Sequence, residues 1–280
     1  MYLASINVDF LIKEDCPYFD LTGFELGINS QCVSISCFTR EECIVCGTEE
    51  SAAVFKRLGI AVEELIPSGT KVEAGTVLIK GIGDADAVLK AWKVIQNIID
   101  HTSGVATKTR RLVNAASEEN PAVSILTTRK MYPGTKALAV KAIMAGGARP
   151  HRLGTSETIL VFSQHIELIG GKKVLLEKIQ DMKKTSCEKK VLIETSELSD
   201  ALLYLRTGVD GVQLEKLSPE LIAEFVSEIR KEFPKAVILA AGGVNENNVR
   251  EYAKTGVDGL VTTSVYTAEP IDIGVRIDPV

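Results

Sequence analysis

This chain has no long apolar run: no stretch approaches the roughly 18 to 20 uninterrupted apolar residues of a membrane span. It also has no leader pattern near its start, where Asp9, Lys13, Glu14 and Asp15 come early. The expectation is a soluble, cytoplasmic protein without a membrane partner. Positive charge is in short supply overall, with 32 Lys and Arg against 37 Asp and Glu and a net charge of −5. That balance argues against a nucleic-acid partner. The six cysteines, at 16, 32, 37, 43, 46 and 187, include the pair Cys43-Ile44-Val45-Cys46 but no second closely spaced Cys/His pair to complete a zinc set. Because Glu42 to Cys46 reads as a strand, reduced, half-buried thiols are expected. Nothing in the composition suggests disorder: 280 residues, 45% hydrophobic, can bury a substantial core and suit two domains.

What the chain does have is a local concentration of cations. From Val105 to Arg152 there are nine Lys and Arg and only Glu118 and Glu119 as acids, so this window is +7 and the remainder −12. Scattered basic residues usually make a solvated face. Here, however, Thr128-Arg129-Lys130 ends an apolar run and is closed by Pro133-Gly134, and Gly146-Gly147 and His151-Arg152-Leu153-Gly154 follow. Strand ends feeding Gly-rich turns are where α/β folds place ligand-binding groups. A field of this kind attracts phosphates and carboxylates, so a small anionic substrate fits better than a polymer.

Residues 1 to about 104 mix short strands, turns and helical stretches. Gln31 to Phe38 and Glu42 to Cys46 look extended, and Glu49 to Leu58 looks helical. Pro67-Ser68-Gly69, Ala74-Gly75 and Gly81-Ile82-Gly83-Asp84 separate short apolar runs, as hairpins require. Asp84 is placed to cap a helix from about Ala85 to His101, where Val88, Trp92, Ile95 and Ile99 recur at helical spacing.

From Pro121 onward the pattern becomes regular. Ala122 to Thr127, Thr158 to Phe162, Lys190 to Glu194, Val209 to Leu214, Val237 to Ala241 and Gly259 to Thr263 read as strands, alternating with helices. The clearest helix runs from Ser218 to Phe233, with Ser218 as N-cap and Pro219 at the first position. Tyr204-Leu205-Arg206-Thr207-Gly208-Val209-Asp210-Gly211-Val212 echoes Tyr252-Ala253-Lys254-Thr255-Gly256-Val257-Asp258-Gly259-Leu260 two βα units later. Such units build a barrel or an open doubly wound sheet. The repeat and the polar strand ends favour an α/β barrel of parallel strands, whose ligands bind at the C-terminal strand ends.

Over almost its whole length the chain resembles the quinolinate phosphoribosyltransferase family, the carboxylating nicotinate-nucleotide pyrophosphorylases. The resemblance rests on Glu14-Asp15 with Asp20-Leu21-Thr22, Ser103-Gly104-Val105-Ala106-Thr107, Thr128-Arg129-Lys130 with Pro133-Gly134, His151-Arg152-Leu153-Gly154, Leu217-Ser218-Pro219-Glu220 and Gly242-Gly243. It implies an N-terminal α+β open-sandwich domain (1–104), to which the tail 269–280 can return. An incomplete, TIM-like α/β barrel (105–268) would carry the active site. It further implies a homodimer or higher homo-oligomer with shared active sites. The implied reaction is transfer of phosphoribose from phosphoribosyl pyrophosphate to quinolinate with Mg²⁺, releasing pyrophosphate and carbon dioxide. Arg129, His151 and Arg152 match acceptor-binding positions, and Lys130 a donor-binding one. Lys130, Glu194 and Glu215 are the implied catalytic set, Glu194 and Glu215 serving Mg²⁺ through the donor diphosphate. Thr128, Gly242, Gly243 and Lys93 complete the substrate-binding positions, and no tightly bound organic cofactor is implied.

The departures are specific. Phe162-Ser163-Gln164-His165 stands where the family has Lys-Asp-Asn-His, and Glu215-Lys216 where it has Asp-Asn. Ala241-Gly242-Gly243 replaces Ser-Gly-Gly, Thr263 replaces a phosphate-binding Gly, and Lys93 replaces an Arg that reaches the neighbouring subunit. These features, with Tyr266-Thr267-Ala268-Glu269-Pro270, look like the ModD subgroup associated with molybdenum transport. The reading is a phosphoribosyltransferase-type paralogue acting on an acidic ring acceptor. The alternatives are a true enzyme of NAD biosynthesis, or a non-catalytic anion-binding protein linked to molybdenum transport that could hold molybdate at Arg129 and Arg152.

Overall fold

A computed structural model describes residues 7–280. The first six residues of the expected 1–104 domain therefore lie outside the described residues. The chain divides into two compact units, one made of Met1–Arg110, Met131–Gly147 and Tyr266–Val280, the other of Arg111–Lys130 and Ala148–Val265.

The first unit contains helices α1 (Val8–Asp15), α2 (Leu21–Leu26), α3 (Thr48–Leu58), most of α4 (Ala85–Glu119) and α5 (Lys136–Ala145). Its strands are β1 (Cys32–Thr39), β2 (Cys43–Ile44), β3 (Ala61–Leu65), β4 (Lys71–Val72), β5 (Val77–Asp84) and β13 (Ile273–Pro279), the last in the chain. Four of them form an antiparallel sheet in the order β13-β1-β5-β3. The tail thus pairs with β1, from Val33 opposite Pro279 to Thr39 opposite Ile273. Alternation along β1 buries Val33, Ile35, Cys37 and Thr39. The first three share a core with Val88, Ile95 and Ile99 of α4. The thiols of Cys37, Cys43 and Cys46 are fully buried rather than half-buried, and all six cysteines are free. Burial pushes Cys37 up to about 12 and Cys46 to about 11, so neither is a thiolate at neutral pH.

Helix α4 departs from its expected length. It runs unbroken past His101, so a boundary at 104/105 falls inside one helix, and residues 131–147 group with the first unit. Tertiary contacts carry the helix through Ser103-Gly104. The Ile44 amide donates to Thr107 Oγ1 at 2.9 Å, the Cys46 amide donates to Ser103 Oγ at 3.0 Å, and Thr102 Oγ1 donates to the Cys46 carbonyl at 2.8 Å. Asp84 is the last residue of β5. The first amides of α4 instead donate to backbone carbonyls, Ala85 to Gln31 at 2.8 Å and Asp86 to Asn29 at 3.1 Å.

The second unit holds β6 (Ser124–Thr127), β7 (Arg149–Pro150), β8 (Ile159–Val161), β9 (Val191–Thr195), β10 (Gly211–Glu215), β11 (Val237–Ala241) and β12 (Gly259–Thr262). Its helices are α6 (Ser163–Leu168), α7 (Lys172–Thr185), α8 (Leu198–Arg206), α9 (Pro219–Glu232) and α10 (Val249–Ala253). The strands are all parallel, in the order β7-β6-β12-β11-β10-β9-β8. That is cyclic chain order opened between β7 and β8, so the expected incomplete α/β barrel is present. Residues 151–158 make the connection across the opening. The two-residue β7 escaped the sequence reading because no apolar run accompanies it.

The sequence repeat has a repeated job. Asp210, just before β10, accepts from the Val191 amide of β9 at 2.8 Å and from Lys183 Nζ at 2.8 Å. Asp258, just before β12, accepts from the Ile238 amide of β11 at 2.7 Å and from Arg230 at 2.8 Å. Each aspartate ties its strand to the preceding one in the sheet, and a cation from a helix pairs with its carboxylate. Gly208 and Gly256 follow the helix ends at φ 94° and 83°, a region glycine enters without a Cβ penalty. Ser218 caps α9 by accepting from the Leu221 amide at 3.4 Å, and Pro219 opens the helix as expected.

Gly104 offers a test of sign. A glycine inside a helix ordinarily gains about 1 kcal/mol on replacement by alanine. A Cβ at Gly104, however, would collide with the Glu269 carbonyl oxygen. Gly104→Ala should therefore lower stability, by roughly 1–3 kcal/mol, read as an earlier urea midpoint at unchanged slope.

Candidate functional site

The C-terminal ends of the barrel strands converge on a cavity of about 560 Å³. The period of two along each strand builds it in layers. Leu126, Leu160, Leu192, Leu239 and Val261 pack together as an apolar layer. Two residues further along β6, β8 and β9, on the same faces, stand Thr128, Phe162 and Glu194, all lining the cavity. Gln213 and Glu215 occupy the corresponding face of β10.

Nine of the ten expected site residues come together here: Thr128, Arg129, Lys130, His151, Arg152, Glu194, Glu215, Gly242 and Gly243. Thr128 is anchored to β12, its amide donating to the Thr262 carbonyl at 3.0 Å and its hydroxyl meeting Thr263 Oγ1 at 2.8 Å. The His151 amide donates to the Thr127 carbonyl at 2.9 Å, which fixes the start of the 151–158 connection beside β6. Lys93 is the exception. It belongs to α4 in the first unit and does not line the cavity; its ammonium stands 4.2 Å from the Trp92 ring centroid and 3.0 Å from Gln96 Oε1. Pro133-Gly134 also lie outside this lining, in the first unit.

Gln213 and Lys216 are among the lining residues outside the expected set. Gln213 is buried and its Nε2 donates to Glu194 Oε2 at 2.7 Å. Its signal was a polar residue two before Glu215, flanked by Val212 and Leu214 in an otherwise apolar strand. Lys216 follows Glu215 and has φ 57°, the only positive φ of a non-glycine among the described residues. Charge at a strand end announced it, but its backbone conformation did not.

The cavity brings four cations together. Arg129, Lys130, Arg152 and Lys216 line it, and among the described residues none of them forms a salt bridge. Other cations of the unit are tied into its fold, among them Lys183 with Asp210, Arg206 with Glu232, Arg230 with Asp258 and Arg250 with Glu118. Burial, followed by the charge of Arg152, pushes the His151 imidazole below its ordinary value, leaving it neutral at pH 7. Burial and then Arg129 also lower Arg152, whose guanidinium nonetheless stays charged. Phe162 steadies that guanidinium, whose Cζ lies 5.7 Å from the ring centroid. Burial and then Glu215 raise the Glu194 carboxyl, opposed by the Gln213 hydrogen bond, Lys216 and Lys130.

A second cavity, about 620 Å³, lies in the first unit and is walled mainly by apolar groups such as Ile98, Leu138 and Ala142. Its lining holds no Lys or Arg.

Comparison with known proteins agrees with this geometry. The quinolinate phosphoribosyl transferase C-terminal domain matches residues 105–276, and the N-terminal domain of the same family matches residues 18–103. The chain belongs to the quinolinate phosphoribosyltransferase family. Within it, a Rhodobacter capsulatus protein named as a pyrophosphorylase, ModD, is 35% identical over 88% of this chain and 94% of its own length. A Pasteurella multocida protein of the same name is 33% identical over 99% of both chains. The structure of the nicotinate-nucleotide pyrophosphorylase from Francisella tularensis superposes with a TM-score of 0.88 at 27% identity, covering 98% of each chain. Similarity to family members of both names extends over both family domains. Among the described residues no helix is long and apolar enough to cross a membrane.

Proposed function

We propose that this protein transfers phosphoribose from phosphoribosyl pyrophosphate to the ring nitrogen of an acidic ring acceptor. The observation that carries the reading is the set of four cations gathered at strand ends without acid partners, in a family of phosphoribosyl transferases. Like charges gathered at one cavity attract anions, and the substrates of such a transfer bring several.

In the reaction the bond from the sugar carbon to the diphosphate oxygen breaks, and its electron pair leaves with the diphosphate. A bond from the acceptor nitrogen to the same carbon forms. Arg129 and Arg152 are suited to grip a carboxylate bidentately and so aim the ring nitrogen. Lys130 is suited to the leaving diphosphate, where negative charge grows as the bond stretches. His151, neutral, can hydrogen-bond the acceptor without adding charge. Glu194 and Glu215 face the sugar side, Glu194 oriented by Gln213.

The residues present also fit Mg²⁺ carried in by the donor. Among the described residues no cluster of three or more His, Cys, Asp or Glu forms a dedicated metal cage, and Mg²⁺ commonly uses one or two carboxylates with substrate phosphates. Glu194 and Glu215 would hold it, and bound there it would neutralise charge on the departing diphosphate.

The family resemblance also motivates a homodimer in which Lys93 reaches the partner's cavity. Sedimentation equilibrium should give twice the chain mass, and a monomer would overturn this.

Isothermal titration with donor and with a panel of acceptors, followed by a pyrophosphate-release assay, tests the function. Arg129→Ala and Arg152→Ala should each weaken the acceptor by roughly 1.5–3 kcal/mol without lowering the melting temperature, since each removes a like charge from an unpaired cluster. Lys130→Ala should weaken the donor instead. Binding of the donor without pyrophosphate release for any acceptor would favour a non-catalytic anion-binding role.

Phe162 bears on acceptor choice. Its ring lines the cavity where the family resemblance places a lysine, so a second carboxylate lying beside it would be desolvated without a counter-ion. Wild type should be a poor quinolinate enzyme, and Phe162→Lys should improve binding of quinolinate more than of nicotinate. Equal gains, or quinolinate turnover by the parent as fast as that of an authentic carboxylating enzyme assayed beside it, would return the chain to NAD biosynthesis.

A further inference from the structure

Lys216 is the one non-glycine among the described residues held at positive φ, and nothing in the local fold explains why a lysine should be there. Asparagine and glycine occupy that region far more readily. Its amide donates to the Ala241 carbonyl at 2.8 Å, which seats the residue against the turn following β11. The contact is tight: a Cβ at Gly242 would lie 2.6 Å from Lys216 Cγ and 2.9 Å from its amide nitrogen. Gly242 is therefore required both by its own φ of 92° and by the presence of Lys216.

The neighbouring Gly243 is different. It has φ 85°, and the space where its Cβ would project is open. Its carbonyl accepts from Asn245 Nδ2 at 2.8 Å and Asn248 Nδ2 at 3.0 Å, which pins the turn. A rigid Gly-Gly turn at a strand end, exposed to a cavity, is a backbone cradle for a phosphate. The residue just before it is Ala241, which has no hydroxyl to add to such a cradle. Lys216 lines the cavity beside this turn, is exposed, and has no salt-bridge partner among the described residues.

We infer that Lys216 is a substrate-binding residue, its ammonium supplying at the Gly242-Gly243 turn the grip on the terminal 5′-phosphate of the phosphoribosyl donor. The strained backbone is retained because it carries this side chain over the turn. The inference rests on the phosphoribosyl-transfer reading above and adds to it a residue and the group that residue holds.

The test compares full-length parent, Lys216→Asn and Lys216→Arg by isothermal titration with ribose 5-phosphate and, separately, with inorganic pyrophosphate, alongside thermal melting. Lys216→Asn should melt at or above the parent temperature, because asparagine tolerates the left-handed backbone. It should lose roughly ten- to a hundred-fold in ribose 5-phosphate affinity and much less for pyrophosphate. Lys216→Arg should keep the affinity within a few-fold. Unchanged ribose 5-phosphate affinity in Lys216→Asn, or equal losses for both ligands, would overturn the role of Lys216 while leaving phosphoribosyl transfer standing. Failure of the parent to bind either ribose 5-phosphate or phosphoribosyl pyrophosphate would instead defeat the underlying reading, and this inference with it.

Discussion

Parallel strands of one barrel sheet carry polar groups at one set of ends and are tied together at the other, and the site depends on that constraint. Arg129, Lys130, Arg152 and Lys216 all line one cavity. At the opposite end of the sheet Asp210 ties β10 to β9 and Asp258 ties β12 to β11, each bonded to a neighbouring strand's amide and to a helix cation. Charge is thus paired where it ties strand to strand and gathered without salt bridges where the strands open on the cavity.

Not every cation of the basic window belongs to that cavity. Lys141 is fully buried in the first unit, where it meets Glu49 at 2.8 Å and also Glu50. Burial alone would raise the Glu49 carboxyl, but donation from Lys141 and Ser68 outweighs it and holds the group at about 2. Removing one partner of such a buried pair strands the other charge, which is why these residues support packing rather than chemistry. Arg110 caps α5, donating to the Gly146 and Ala145 carbonyls, both at 2.9 Å. Charge counting cannot separate these structural cations from Arg129 and Arg152, because the separation depends on which unit each side chain faces.

Local pattern made much of the fold legible. The strand Val237–Ala241 has the bounds its composition suggested, Ser218-Pro219 opens a helix, and the Thr-Gly-Val-Asp-Gly repeat marks helix end and strand start twice. Local pattern failed where a distant segment decides the outcome. Helix α4 continues through Gly104 because residues 44–46 and Glu269 fit against it, and Asp84 gives way to the carbonyls of Gln31 and Asn29 as the cap. At the site, the family resemblance named charged residues that the strand ends bring together, and the sequence marked Lys216 as a departure; Gln213 and the left-handed backbone of Lys216 emerged only in the structure. Lys93 shows the converse case: the resemblance gives it a role that depends on a second chain, and within one chain it rests on Trp92.

Phe162 and Lys216 together describe how the site differs from the pattern the resemblance supplies. At the end of β8 a cation gives way to an aromatic ring that packs against Arg152. At the end of β10 a cation appears where the family has asparagine. Charge has therefore moved around the cavity rather than drained from it. A ligand meeting this arrangement finds cations at the ends of β6, β7 and β10 and an apolar wall at β8. Carboxylate recognition is then confined to the Arg129–Arg152 side, because a carboxylate against the Phe162 wall would lose its hydration without gaining a partner. Phosphate recognition gains on the Lys216 side, where a flexible point charge beside a rigid glycine turn needs no bidentate geometry. On the proposed reading, Phe162 and Lys216 would shift selectivity from the acceptor's second acidic group toward the sugar phosphate, conserving the transfer chemistry while changing what it is applied to.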